Sequence, residues 1–149
     1  LEEDYIYIDK TDIAQDLIEN GQYYFLSRPR RFGKSLFLDT LKTIFSGDKE
    51  VFKGLSIYNN GYEFSKFPVI RISFNDGDFK TTEGFNQTLY EIMDKNQRDL
   101  SIECPKEFSM PGCFKRLIEE AYKKYNKKVV ILIDEYDKPI LDNIENTEE

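Results

Sequence analysis

The sequence predicts an α/β fold, and three observations carry that prediction. A continuous apolar run, Val129–Ile133, suits a strand covered by helices on both faces. Two long segments carry apolar residues at helical spacing, one opening at Lys34 and the other spanning Phe114 to Tyr125. These helical segments alternate with short β-prone runs, an order that implies helices packed on a mostly parallel sheet. With 149 residues there is room for one domain with a real hydrophobic core.

Taken in order, residues 4–8 (Asp4, Tyr5, Ile6, Tyr7, Ile8) form a short β-prone stretch. Thr11 or Asp12 is expected to cap a helix carrying Ile13, Leu17 and Ile18, with Gly21 as its stop. Tyr23–Ser27 reads as a buried strand. Pro29 biases Arg28 toward extended geometry, so 28–33 cannot be helical throughout. From Lys34, the residues Leu36, Phe37, Leu38, Leu41, Ile44 and Phe45 make one apolar helix face, which Gly47 ends. Asn59, Asn60 and Gly61 signal a turn. Val69–Phe74 is a second strand, and Phe85, Leu89, Ile92 and Met93 mark a helix over about 82–98. The last helix before the apolar run is marked by Phe114, Leu117, Ile118, Ala121, Tyr122 and Tyr125. The acidic end Glu145–Glu149 is expected to fray.

Composition narrows the chemistry. The net charge is −7, from 28 acidic and 21 basic residues, which argues against non-specific nucleic-acid binding by this segment. A local basic patch remains at Arg28, Arg30, Arg31 and Lys34. The absence of histidine excludes Ser–His–Asp triads, Cys–His pairs and histidine-ligated zinc. Chemistry here must use carboxylates, Lys, Arg, hydroxyls or a hard cation held by oxygen. Cys104 and Cys113 are too few for a disulfide framework, and reduced, structural thiols in a cytoplasmic chain are expected. No run is long enough to cross a bilayer, so no membrane partner is expected.

Two constellations point to phosphate chemistry. The first, Arg28-Pro29-Arg30-Arg31-Phe32-Gly33-Lys34-Ser35, lies between an expected strand and helix. There the free backbone N–H groups of a helix start would face an anion. Gly33 permits close approach to phosphate, Lys34 would reach the β- and γ-phosphates, and the Ser35 hydroxyl would ligate magnesium. Arg28 stands at the first glycine of the usual G-x-x-x-x-G-K-[S/T] (Walker A) pattern. Taken alone, Gly-Lys-Ser also fits an ordinary helix start with an exposed lysine. The second constellation is the apolar strand ending in Asp134-Glu135, where Asp134 would hold magnesium and Glu135 would polarise the attacking water. By itself that pair also fits an acidic strand exit on a solvated surface. The two signals reinforce each other because they occur in order on the required elements. Arg30 and Arg31 fit two readings, neutralisation of phosphate charge or a solvated basic loop. Asp137 and Lys138 are expected to form an exposed ion pair of little consequence.

Phe25-Leu26-Ser27-Arg28-Pro29-Arg30-Arg31-Phe32-Gly33-Lys34-Ser35-Leu36 resembles the signature of the bacterial and archaeal AAA-ATPase-like proteins. The run from Val130 to Ile140 resembles their second motif, Tyr7–Thr11 their N-terminal one, and Phe52–Tyr58 a further family pattern. The resemblance implies a P-loop three-layer α/β sandwich with a mostly parallel sheet and an extra strand between the two motif strands. It implies ATP and Mg2+ as cofactors, with phosphate-loop contacts from Arg30 through Leu36 and catalytic roles for Lys34 and Glu135. Residues 1–149 would then be the N-terminal part of an ATPase domain, truncated after the second (Walker B) motif. A further domain or self-association would complete its sheet. Family members are often followed by a nuclease-like domain, so any nucleic-acid contact would come through such a C-terminal domain. Three functions are compatible with the residues: ATP hydrolysis, a nucleotide-dependent switch with little intrinsic turnover, or a nucleotide-free interaction module that keeps the fold only.

Overall fold

The computed structural model describes residues 7–27 and 32–144, which fall into two compact units divided between Lys66 and Phe67. The expected strand residues Asp4–Ile6, the loop residues Arg28–Arg31 and the acidic end Glu145–Glu149 lie outside the described residues.

The first unit is helical. It contains α1 (Thr11–Asn20), α2 (Lys34–Ser46), a 3-10 turn (Lys49–Phe52) and the single-turn α3 (Ser56–Asn59). Ala14, Ile44, Phe52 and Ile57 form its core, with Ile18, Phe37, Leu41 and Phe64 packed around them. Phe37, Leu41 and Ile44 of the stripe expected on α2 pack into this core, whereas Leu36, expected on the same face, is exposed. Gly47 ends that helix in the left-handed region at φ 81°, and its N–H returns to the Ile44 carbonyl.

The cap of α1 differs from expectation. Thr11 is the first helical residue rather than the cap, and the capping side chain is Asp9. One Asp9 oxygen accepts from the Thr11 N–H and Oγ1, at 2.9 and 2.7 Å. The other accepts from the N–H and Oγ of Ser56, at 2.7 and 2.8 Å. Thr11 Oγ1 in turn accepts from the Ile57 N–H at 3.1 Å. One short segment therefore satisfies the open N–H groups at the starts of both α1 and α3.

The expected strand at Tyr23–Ser27 does not form. Residues 23–27 carry no regular structure, and Tyr23 is 92% exposed. An aromatic-rich run fits a pleated surface, but propensity supplies no ladder partner and no cover. Tyr7 and Ile8 are likewise exposed and outside any strand.

The second unit is β1 (Val69–Ser73), α4 (Thr82–Leu100), α5 (Met110–Tyr125), β2 (Val130–Asp134) and α6 (Lys138–Ile144). β1 and β2 pair in parallel, with Val69 opposite Val130 and Ser73 opposite Asp134. Parallel strands need a long crossover, and α4 and α5 supply it. Caps fix both helix starts: Thr81 accepts from the Gly84 N–H, and Ser109 from the Gly112 N–H. Lys124 on α5 donates to the Leu100 and Ser101 carbonyls at the end of α4. Ile70, Met93, Leu100, Ile102, Cys113, Leu117 and Ala121 form the core.

Cys104 and Cys113 are joined as a disulfide, which corrects the expectation of reduced thiols. The turn leading into α5 brings the two Cα atoms to 5.5 Å, inside the range a disulfide spans.

The two sheet edges are unlike. β1 bonds β2 through the groups flanking Arg71, so Arg71's own N–H and C=O face outward. Both are taken by the Asn96 amide, at 2.8 Å each. Asn96 is 2% exposed and also donates to the Ile92 carbonyl at 2.7 Å. On β2, the peptide groups of Ile131 and Ile133 face the other edge. Their side chains lie on the face shared with buried Ile70, yet they are 40% and 49% exposed. The expectation that helices cover both faces of β2 is therefore not met on the face that carries Ile131 and Ile133.

Candidate functional site

The residues expected to carry the chemistry lie at two places, one in each unit, and each is described within its own unit.

In the first unit, Gly33 stands directly before α2 at φ 75°, ψ 24°. This left-handed geometry suits glycine, because a side chain there meets its own backbone. Among the described residues beyond its two chain neighbours, a Cβ at this position would meet no atom within 4 Å, so the requirement is conformational. Lys34 and Ser35 follow as the first helical residues, with Lys34 half-buried and Ser35 exposed. Gly33, at the N-cap, has no side chain with which to cap this start. The structure thus gathers Gly33, Lys34, Ser35 and Leu36 around one open helix terminus. Phe32 and Leu36 are exposed at 61% and 58%. Arg30 and Arg31 lie outside the described residues.

In the second unit, β2 ends at Asp134, which is 5% exposed. Its backbone carbonyl accepts from the Phe74 N–H at 3.2 Å, extending the ladder to the carboxyl tip of the sheet. Its side chain shares a face with Arg71, Ser73 and Leu132, and its Oδ2 lies 4.0 Å from Arg71 Nη2. The carboxyl ends of parallel strands are where open α/β sheets present ligand-binding groups.

Glu135 comes next, in the left-handed region at φ 52°. A non-glycine residue pays for that conformation, and such strain concentrates at functional sites. The turn redirects the chain into α6, with Lys138 N–H donating to the Glu135 carbonyl at 3.1 Å. Glu135 has therefore left the strand that ends at Asp134.

Lys138 does not form the exposed pair with Asp137 that the sequence suggests. It meets Asp142 at 2.8 Å, donates to the Gly77 carbonyl at 3.2 Å and lies 4.9 Å from the Phe79 ring centroid. Asn143 donates to the Phe79 carbonyl at 2.9 Å. α6 is thereby pinned to the loop that follows β1.

Sequence reasoning passed over Arg71 and Asn96. Each left a signal: Arg71 is a lone charge inside an apolar strand, and Asn96 continues the apolar stripe of Leu89, Ile92 and Met93. A polar residue at a core position requires a partner, and here that partner is the open strand edge.

Among the described residues, no group of three or more His, Cys, Asp or Glu could hold a metal. The oxygens at Asp134 suit a hard cation that keeps most of its water and takes one or two carboxylates, as magnesium does alongside phosphates. Among the described residues no helix is long and apolar enough to cross a membrane.

The family model described as "Predicted AAA-ATPase" matches residues 1–149. The chain belongs to the AAA-ATPase-like family. A curated relative from Azotobacter chroococcum mcd 1, described as an uncharacterized protein in the vnfD 5′ region, is 44% identical over 146 residues. The match covers 98% of this chain and 28% of that protein, so the chain spans little more than a quarter of the relative's length. No solved structure matches. Family membership supports nucleotide binding in general and bears out the resemblance drawn from the motifs.

Proposed function

We propose that the chain is the nucleotide-binding core of a P-loop ATPase that hydrolyses ATP to ADP and phosphate. Lys34 and the N–H groups opening α2 bind the phosphates, with Arg30 to Leu36 forming the loop around them. Ser35 and Asp134 would hold Mg2+, which would supply charge neutralisation at the phosphates when bound. Glu135 accepts a hydrogen bond from the attacking water and orients it. Catalysis of this kind is positioning and electrostatics rather than covalent chemistry.

One observation carries the reading: a strained glutamate directly follows a buried aspartate at the carboxyl tip of a parallel strand. An acidic surface exit has no need of either the strain or the burial. The left-handed Gly33 before α2 supports the phosphate half. The exposed Ile131 and Ile133 along β2 support the expectation that a further strand, from a longer chain or a second one, completes the sheet.

Steady-state phosphate release by the full-length protein with Mg2+ and ATP tests this function. Lys34→Ala and Glu135→Gln are each expected to lower turnover by about 100-fold or more. Wild-type turnover in both variants would remove the mechanism. Tight nucleotide binding with negligible release by the native protein would assign the switch function instead.

A further inference from the structure

We propose that Arg71 is a positioning residue that holds the Asp134 carboxylate in the metal-free protein and yields it when a divalent cation binds. The inference rests on the reading of Asp134 as a metal ligand. Arg71 and Asp134 lie on neighbouring strands and project from the same face of the sheet. Their side chains are 21% and 6% exposed. A carboxylate so withdrawn from water needs a compensating charge, and the guanidinium supplies one.

The spacing matters as much as the sign. At 4.0 Å the guanidinium is within ion-pair range but beyond hydrogen-bond distance. It neutralises Asp134 without committing that oxygen to a hydrogen bond, so the oxygen stays available to a cation. The Arg71 main chain is fixed, because Asn96 holds both its N–H and its C=O at 2.8 Å. Adjustment on metal binding therefore falls to the Arg71 side chain. A metal and a guanidinium carry like charge and compete for one carboxylate. By linkage, each weakens the other's hold by the same factor.

The test is a Mn2+ titration of the nucleotide-free, full-length protein, read by the loss of the free-ion electron paramagnetic resonance signal. Arg71→Met is expected to bind Mn2+ about tenfold more tightly than wild type, and Arg71→Lys to return affinity close to wild type. Asp134→Asn is expected to weaken binding in either background. Unchanged affinity in Arg71→Met, with Asp134→Asn still weakened, would overturn the role of Arg71 alone. Unchanged affinity in both would overturn the metal reading of Asp134 and this inference with it. If circular dichroism shows Arg71→Met unfolded, Arg71→Gln carries the same expectation, since it removes the charge and keeps a polar head.

Discussion

At Glu135 the backbone and the proposed chemistry pull against each other, and that conflict can be measured. The residue sits at φ 52°, a region glycine enters freely and other residues enter at a cost of about 1–2 kcal/mol. Glu135→Gly is therefore expected to raise stability by up to about 1 kcal/mol while abolishing turnover. Glu135→Gln keeps the strain, so it should lose turnover without the gain. Denaturant melts paired with phosphate-release assays separate the two. Asp9 illustrates a carboxylate put to structural use instead. Burial pulls its carboxyl upward, but hydrogen bonds from Thr11 and Ser56 outweigh that and hold it at about 2, below its ordinary 3.8. The folded form thus prefers the ionised group. Its contribution is complete above pH 3.8 and is lost as pH falls through about 2. Asp9→Asn should cost roughly 1 kcal/mol at neutral pH and flatten the stability profile across that acid window. Neither the turn at Glu135 nor the role of Asp9 is legible in sequence, because both depend on where a second segment lies.

The elements themselves were largely written in the pattern of apolar residues. α2, α4 and α5, together with β1 and β2, follow the spacings of Leu36–Phe45, Phe85–Met93, Phe114–Tyr125, Val69–Phe74 and Val129–Ile133. The failure at Tyr23–Ser27 has a physical cause: composition shows that a segment suits a sheet, whereas only a neighbour makes it a strand. The edge of β1 makes the complementary point, since Asn96 closes it with a side-chain amide. Asn96→Leu would leave the Arg71 N–H and C=O without that partner and should cost about 1–3 kcal/mol by urea unfolding. A loss below a few tenths of a kcal/mol would mean that water serves that edge equally well. At the start of α2, Gly33→Ala should cost about 1 kcal/mol through its backbone conformation, since among the described residues no atom beyond its chain neighbours lies within 4 Å of the added Cβ.

For the molecule as a whole, Gly33-Lys34-Ser35 and Asp134-Glu135 stand out in the sequence because the phosphate chemistry proposed for them needs those residue types in that order. Family membership across residues 1–149 agrees with the resemblance these motifs carry. The disulfide at Cys104–Cys113 was not legible, since two cysteines nine residues apart leave bonded and reduced states open until the turn between them is known. The open edge of β2 also belongs to this scale, because covering Ile131 and Ile133 takes chain beyond the two strands described. The proposed function requires one triphosphate to join the two motifs. A crystal structure of the full-length protein with Mg2+ and a non-hydrolysable ATP analogue tests that requirement. The expected result is Lys34 on the β- and γ-phosphates, with the metal between Ser35 and Asp134 and Glu135 facing the γ-phosphate. A nucleotide bound elsewhere, or one held at Lys34 with Asp134 turned away from its metal, would overturn the proposed function.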